Sequence, residues 1–204
     1  MSYSHDIFIS YRRDPETLIW INEHFLPLLK LRVGMELGRE PTIFIDSRIE
    51  SGTSWPQSLG RALGSSRTLI ALWTGNYLSS VWCTEELSHM VVREEVERLR
   101  TSTRPYGVII PAFIHDGERF PRELSYMQHF EIQKCFNVRM ARNSPLAEKL
   151  DALLDAQAQS IAACIQHAPA WRASWARLAA ARFYDKFHQK LESEQKTVPR
   201  FTRR

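Results

Sequence analysis

The sequence predicts an α/β fold, a three-layer sandwich in which helices cover both faces of a parallel five-stranded sheet, followed by a C-terminal helical extension. Two observations predict it. Over the first 135 residues, short runs rich in β-branched and aromatic residues alternate with amphipathic stretches, which is typical of βαβ units. The 204-residue chain, 44% hydrophobic and 25% charged, is also long enough to bury a core.

Five runs have the composition of strands. The first ends in a loop that begins at Arg12. The fourth contains Pro111, which lacks a backbone N–H, so we expect a bulge or an interrupted ladder there. The five predicted strands are residues 6–11, 42–46, 68–73, 107–114 and 129–132.

Helical spacing of apolar residues marks the segments between these strands. Pro15 suits the first turn of a helix, and apolar side chains recur after it at helical spacing. The stretch 30–40 contains Gly34 and Gly38, and we expect it to be a long surface connection. Further helices are predicted at residues 55–64, 81–100 and 144–194, the last with a break at Pro169.

The positive charge of the chain is concentrated at its C-terminus. The formal net charge is +4, but residues 169–204 hold nine Lys/Arg and three Asp/Glu, which leaves the preceding part slightly acidic. Trp171 and Trp175 lie one helical turn apart in this segment, so it could pack on the domain as an extra helix, dock a partner, or approach nucleic acid or an anionic membrane. We therefore divide the chain into a domain, 1–168, and a basic, aromatic helix with a disordered tail, 169–204.

Composition and motifs argue against several classes of protein. No run approaches the ~18 uninterrupted apolar residues of a membrane span. Three widely spaced cysteines, Cys83, Cys135 and Cys164, indicate neither a disulfide framework nor a zinc site. No glycine-rich phosphate loop is present. We expect a cytoplasmic protein that needs no metal and has neither nucleic acid nor membrane as its partner.

The loops after the first three strands are the expected place for a ligand, because open parallel sheets bind ligands at the carboxyl ends of their strands. These loops carry Arg12 and Arg13, then residues 46–52, then residues 76–86. A phospho-accepting receiver domain of similar architecture would need acidic residues after its first strand. The arginine pair argues against that class.

Three sequence blocks in these loops resemble the Toll/interleukin-1 receptor (TIR) domain. They are DIFISYRR at 6–13, FID at 44–46 followed by a loop that contains Gly52, and SSVWCTEEL at 79–87. The similarity covers residues 5 to 135, or to the helix that ends near His167. The third block is especially similar to NAD-consuming TIR domains, as in plant resistance proteins, the animal axon-degeneration NADase and bacterial antiphage systems. The resemblance implies a flavodoxin-like fold.

The resemblance also implies an activity, namely cleavage of NAD+, as substrate rather than cofactor, into nicotinamide and a linear, cyclised or transferred ADP-ribose product in antiphage immune signalling. Glu86 matches the catalytic glutamate of the family, and its spacing from Trp82 places both side chains on one helix face. An aromatic face can stack on nicotinamide, and guanidinium groups can pair with the pyrophosphate. The residues that the resemblance assigns to NAD+ binding are Ser10, Tyr11, Arg12, Arg48 and Trp82.

Each of these residues also has a purely structural interpretation. Glu85 and Glu86 are predicted to lie in the first turn of a helix, where the helix dipole favours any carboxylate by ~0.3–1 kcal/mol. Trp82 could be a packing residue. Cys83 is better interpreted as a small core residue than as a nucleophile.

A rival function is that of a non-catalytic TIR adaptor or scaffold, which acts by homotypic assembly and in which Glu86 has no chemical role. The intact pair of Trp82 and Glu86 favours the enzyme. In enzymatic members of the family a neighbouring subunit often completes the site. We therefore expect activation by self-assembly through TIR–TIR contacts, together with a separate effector or sensor protein as a possible partner.

Overall fold

The computed structural model describes residues 2–45, 57–115, 120 and 124–177. Within this part, five parallel strands form one sheet in the order β2-β1-β3-β4-β5, with helices on both faces. This is the strand order of the flavodoxin-like class, so the predicted fold is confirmed. The strands are β1 (His5–Tyr11), β2 (Ile43–Ile45), β3 (Ser66–Trp73), β4 (Ile109–Phe113) and β5 (Phe130–Glu131).

Helices connect β1 to β2, β2 to β3 and β3 to β4, as the βαβ pattern predicts, and a further helix follows β5. Short 3₁₀ turns precede α4 and precede and follow α5. The helices are α1 (Pro15–Trp20), a π-helical turn (Ile21–Phe25), α2 (Leu26–Leu37), α3 (Gln57–Gly64), α4 (Val81–Glu97) and α5 (Pro145–Gln166), and the 3₁₀ turns are Tyr77–Ser79, Gln133–Cys135 and Ala173–Arg177.

The predicted surface connection at 30–40 is wrong, because α2 continues as a helix to Leu37. Leu29 and Val33 on this helix are buried in the core, and this packing outweighs the low helix propensity of Gly34. A Cβ at Gly34 would lie 3.4 Å from the Arg39 carbonyl oxygen, an ordinary van der Waals contact, so the packing here does not require glycine. The helix ends at Gly38, whose φ of 68° is left-handed.

A π-helical turn separates α1 from α2, and Pro27 accounts for it. Proline has no N–H to donate to the carbonyl four residues earlier, and its ring clashes with that carbonyl. The backbone here widens instead, so that the Leu26 N–H donates to the carbonyl of Ile21, five residues back. One long helical arm, 15–37, therefore covers the sheet despite the internal proline.

The bulge expected at Pro111 is also wrong, since β4 pairs with β3 in an unbroken register that matches Ala71 with Pro111. In a parallel sheet, the backbone N–H and C=O groups of alternate residues point to the neighbouring strands on opposite sides. The carbonyl of Phe113 accepts a hydrogen bond from the N–H of Ile132, on the β5 side. The backbone nitrogen of Pro111, two residues earlier, therefore faces the β5 side too. Pairing with β5 begins only at Ala112, and the missing N–H therefore breaks no ladder bond.

The core lies in two layers, one on each face of the sheet. Ile7, Ile9 and Tyr11 of β1 point into the first layer, which α1, α2 and α5 cover. Phe8 points into the second, which α3 and α4 cover. Since side chains alternate along a strand, Ser10 faces the same layer as Phe8, beneath α4.

A buried carboxylate fixes the far end of α4 to the sheet. Glu94 accepts hydrogen bonds from the backbone N–H groups of Val108 and Ile109 at 2.6 and 3.0 Å. Arg100 donates to the same carboxylate at 2.7 Å. These bonds hold the helix in register with the start of β4.

The start of the C-terminal segment packs against α4. Trp175 is 1% exposed, and the guanidinium carbon of Arg93 lies 3.8 Å from the centroid of its ring. The carbonyl oxygen of Trp175 lies 2.5 Å from Nε2 of His89, and Tyr3 donates a hydrogen bond to the Pro169 carbonyl at 2.7 Å. This contact favours packing on the domain for residues 169–177. The rest of the predicted tail helix lies outside the described residues, and the domain boundary stays a prediction.

His89 should make the stability of this contact depend on pH. Burial, the largest cause, and the charge of Arg93 together lower the pKa of His89 from 6.5 to about 4, against the opposing effect of the hydrogen bond to Trp175. Between these values the unfolded chain binds a proton that the folded chain does not. We therefore expect the free energy of unfolding to be highest above pH 6.5 and to fall by about 2–3 kcal/mol as the pH drops to 4.

Denaturant titrations across this pH range measure the effect. The His89→Gln variant, which does not titrate, should lose this part of the pH dependence, whereas the control His167→Gln, at an exposed position, should keep the wild-type slope. Identical slopes for wild type and His89→Gln would contradict the assignment.

Candidate active site

The candidate site lies where β1 and β3 end. Ser10 stands beside Ala71 of β3 in the sheet register. After β3 the chain turns through the 3₁₀ turn and enters α4, whose first turn the Ser80 side chain caps by accepting from the Cys83 N–H at 3.4 Å. Thr84 donates its hydroxyl to the Ser80 carbonyl at 3.0 Å. This local hydrogen bonding fixes the start of the helix that carries Glu86.

Glu86 lies at the centre of the site. It is 4% exposed, and its Oε2 accepts a hydrogen bond from the hydroxyl of Ser10 at 2.6 Å. The Ser10 oxygen also lies 2.5 Å from the phenol oxygen of Tyr77. Three residues that are far apart in sequence thus form one buried hydrogen-bonded chain, which joins β1, the 3₁₀ turn and α4.

The position of Glu86 on α4 corrects one structural interpretation of the sequence. The helix begins at Val81 and has no acidic residue in its first turn, so Glu85 and Glu86 lie in the second turn. The influence of the helix dipole falls off within the first turn. The dipole therefore does not account for a buried glutamate here, whereas the hydrogen bond from Ser10 compensates part of its desolvation.

Burial in this cluster suppresses ionisation of the groups beside Glu86. Burial raises the pKa of the Cys83 thiol, and the negative charge of Glu86 raises it further. Burial likewise raises the pKa of Tyr77 well above 10, with Cys83 and Glu86 adding to the effect and the Ser10 hydrogen bond opposing it. Both groups keep their protons at neutral pH. Cys83 lies in the second core layer, as predicted, and lacks the thiolate character of a nucleophile.

Trp82 lies one turn before Glu86 on the same helix. It is half-buried and packs on the edge of the second core layer. The guanidinium carbon of Arg13 lies 5.4 Å from the centroid of its ring, within cation–π range. The charge of Arg13 also acts on Cys83, where it lowers the pKa. Arg13 is therefore the arginine of the first loop that the structure brings to the site.

The remaining predicted binding residues are placed differently. Tyr11 is buried in the first core layer, on the opposite face of the sheet from Ser10. Arg12 is exposed, directly after β1. Arg48 lies outside the described residues. The structure thus brings Ser10, Trp82 and Glu86 together, and the ligand role of every predicted residue stays a prediction.

Tyr77 and Arg13 are the site residues that the motifs did not single out. Tyr77 stood within the loop after the third strand, but its spacing from Glu86 follows no helical rule because the 3₁₀ turn intervenes. Arg13 stood beside Arg12, and which of the two faces Trp82 depends on the path of the loop. No pattern in the sequence separates the two arginines.

Metal-binding clusters and membrane-spanning helices are absent from the described residues. No group of three or more His, Cys, Asp or Glu side chains among them could hold a metal ion. None of the helices within those residues is both long enough and apolar enough to cross a membrane.

The burial of Cys83 predicts low reactivity in the folded protein. We expect a maleimide at pH 8 to leave Cys83 unmodified in the native state and to modify it readily once the chain is denatured, as read by peptide mass spectrometry. Cys164, which is only partly buried, provides the comparison and should react faster in the native protein. Native labelling of Cys83 at the rate of Cys164 would show that the thiol is accessible.

Comparison with known proteins agrees with the geometry. Residues 7–154 match the family model described as the TIR domain. The chain is 33% identical over 115 residues to Protein SUPPRESSOR OF npr1-1, CONSTITUTIVE 1 of Arabidopsis thaliana. The aligned region covers 56% of this chain but only 7% of that protein.

Two solved structures are more distant. One is the TIR domain of the Toll-related Receptor TRR-2 from Hydra magnipapillata (18% identity, 63% of this chain and 84% of that chain, TM-score 0.44). The other comprises the TIR domains of the activated Roq1 resistosome that directly recognises the pathogen effector XopQ (20% identity, 80% and 96%, TM-score 0.37). The match to the family model covers most of the chain, and this protein therefore belongs to the TIR domain family.

Proposed function

We propose that this TIR domain is an NAD+ glycohydrolase or cyclase that breaks the bond between nicotinamide and ribose. The bonding electron pair leaves with the nicotinamide nitrogen, so that nicotinamide departs neutral and positive charge develops on the ribose. Water then bonds to the ribose C1′ and loses a proton, which gives ADP-ribose. A nucleophile from the same molecule or a second acceptor gives a cyclised or transferred product instead.

The observation that carries this proposal is the buried carboxylate of Glu86 at the carboxyl ends of β1 and β3, held by Ser10 at 2.6 Å. Ligands of open α/β sheets bind at this edge. A carboxylate placed there stabilises the oxocarbenium-like charge on the ribose and can accept hydrogen bonds from its hydroxyls. Because the carboxylate is shielded from water, this attraction is stronger than on the surface.

Of the two aromatic residues predicted to stack on nicotinamide, Trp82 is better supported. Trp82 shares α4 with Glu86 and lies half-buried at the site, whereas Tyr11 packs in the opposite core layer. We assign pyrophosphate binding to Arg12 and Arg48, as the family resemblance implies. The guanidinium carbon of Arg13 lies 5.4 Å from the centroid of the Trp82 ring.

Self-assembly is part of the same proposal. The family resemblance implies that a neighbouring subunit often completes the site and that assembly repositions the loop after the second strand. We propose that this chain likewise reaches full activity through TIR–TIR contacts, with a sensor or effector protein as a further partner, and that it acts in antiphage immune signalling.

Replacement of the carboxylate tests the chemistry. We expect Glu86→Gln, which keeps the size of the side chain but removes its charge, to lower NAD+ cleavage by about 10²-fold or more. The release of nicotinamide, followed by liquid chromatography, measures this. The matched control is Glu85→Gln, the neighbouring and partly exposed carboxylate, which should keep activity within about twofold of wild type.

Two results would contradict the proposal. Full turnover by Glu86→Gln would remove Glu86 from the site. A folded wild-type protein that releases no nicotinamide at any concentration, with or without a crowding agent, would favour the non-catalytic adaptor.

Dilution tests the role of assembly. If a second subunit completes the site, we expect the NADase activity per subunit to fall as the protein is diluted over a 100-fold range, because the assembled fraction falls by mass action. Activity assays paired with light scattering at each concentration measure both quantities. Constant activity per subunit across the range would show that the monomer is sufficient.

A further inference from the structure

We infer that Tyr77 is a positioning residue for Glu86. The phenol of Tyr77 donates a hydrogen bond to Ser10 and thereby directs the single hydroxyl proton of Ser10 onto the carboxylate of Glu86. The consequence for catalysis rests on the proposed function. The hydrogen-bond direction itself does not.

The direction follows from counting protons. A serine hydroxyl has one proton to donate, and an ionised carboxylate has none. The Ser10 oxygen lies 2.6 Å from Glu86 and 2.5 Å from Tyr77, so both contacts are hydrogen bonds. If Ser10 donates its proton to Glu86, the hydrogen bond between Ser10 and Tyr77 must be donated by the phenol. The reverse order requires a protonated Glu86 that donates to Ser10, which in turn donates to Tyr77.

The surroundings of Tyr77 favour a fixed, protonated donor. Its side chain is fully buried and stacks on Trp73 at a centroid distance of 4.6 Å. Its backbone N–H donates to the Thr74 carbonyl at 2.9 Å, and its own carbonyl accepts from the N–H of Ser80, the residue that caps α4. Burial raises the pKa of Tyr77, which keeps the phenol proton in place. The phenol is thus held between the end of β3 and the start of the helix that carries Glu86.

The other ionisable groups of this cluster do not set the direction. Cys83 on α4 keeps its proton because burial and Glu86 raise its pKa. Arg13, from the loop after β1, contributes positive charge that acts on Cys83. Hydrogen bonds donated from Tyr77 to Ser10 and from Ser10 to Glu86 favour the ionised form of that carboxylate.

The pKa of Glu86 is the direct readout, measured by NMR on the full chain with ¹³C-labelled glutamate and assigned by the signal lost in Glu86→Gln. Each donor in the chain stabilises the ionised form. We expect Tyr77→Phe, which keeps the ring and its stacking, to raise this pKa by about 0.5–1, and Ser10→Ala to raise it by about 1–2. The control Tyr3→Phe removes a phenol at the Pro169 contact and should leave this pKa unchanged.

A double variant shows whether Tyr77 acts through Ser10. We expect Ser10→Ala/Tyr77→Phe to give nearly the same Glu86 pKa as Ser10→Ala alone, because loss of the serine hydroxyl breaks the hydrogen-bonded chain from the phenol to the carboxylate. A fall of the pKa in Tyr77→Phe would establish the reverse direction, and no change would overturn the inference. Additive shifts of the Glu86 pKa by the two substitutions would show that Tyr77 acts independently of Ser10.

Kinetics separate this inference from the proposed function. In an active enzyme we expect Tyr77→Phe to lower kcat for NAD+ cleavage about 3- to 10-fold and to leave KM unchanged. The acid limb of the pH–rate profile should shift to higher pH, because the Glu86 pKa rises. An unshifted limb would count against the inference. If wild type releases no nicotinamide, the proposed function fails, and the NMR titration still decides whether Tyr77 directs the proton of Ser10.

Discussion

The hydrogen bond between Ser10 and Glu86 joins the two halves of the candidate site, and its formation depends on the topology of the sheet. The strand order places the end of β1 next to β3, and after β3 the chain passes through a short 3₁₀ turn into α4. Alternation along β1 then turns Ser10 toward α4 while Tyr11 turns away. A slip of β1 by one residue would exchange these two side chains and leave Glu86 buried without its hydroxyl donor.

Helix α4 carries the site because it is fixed along its whole length. Ser80 caps its first turn, Glu94 bonds the backbone at the start of β4, and His89 holds the carbonyl of Trp175. These contacts use three different faces of the fold: the loop after β3, the sheet and the C-terminal segment. The role proposed for Glu86 requires a carboxylate whose position is preorganised, and these contacts hold the helix that carries it.

The sequence predicted those features that depend on local pattern and failed where tertiary contacts decided the outcome. The five strands follow from runs rich in β-branched and aromatic residues, and the shared helix face of Trp82 and Glu86 follows from their spacing. The helix through Gly34 was missed because burial of Leu29 and Val33 outweighs propensity, and the unbroken ladder at Pro111 depends on where β5 begins. Tyr77 was missed because its contact with Ser10 joins residues 67 positions apart and follows no spacing rule.

A structure of the full chain with a non-cleavable NAD+ analogue tests the central claim most directly. The account predicts that the nicotinamide riboside half lies at the carboxyl ends of β1 and β3, with a ribose hydroxyl within hydrogen-bond distance of Glu86 and the nicotinamide ring against Trp82. An analogue bound elsewhere on the domain, with the Ser10 and Glu86 hydrogen bond untouched, would contradict the assignment of this edge as the active site.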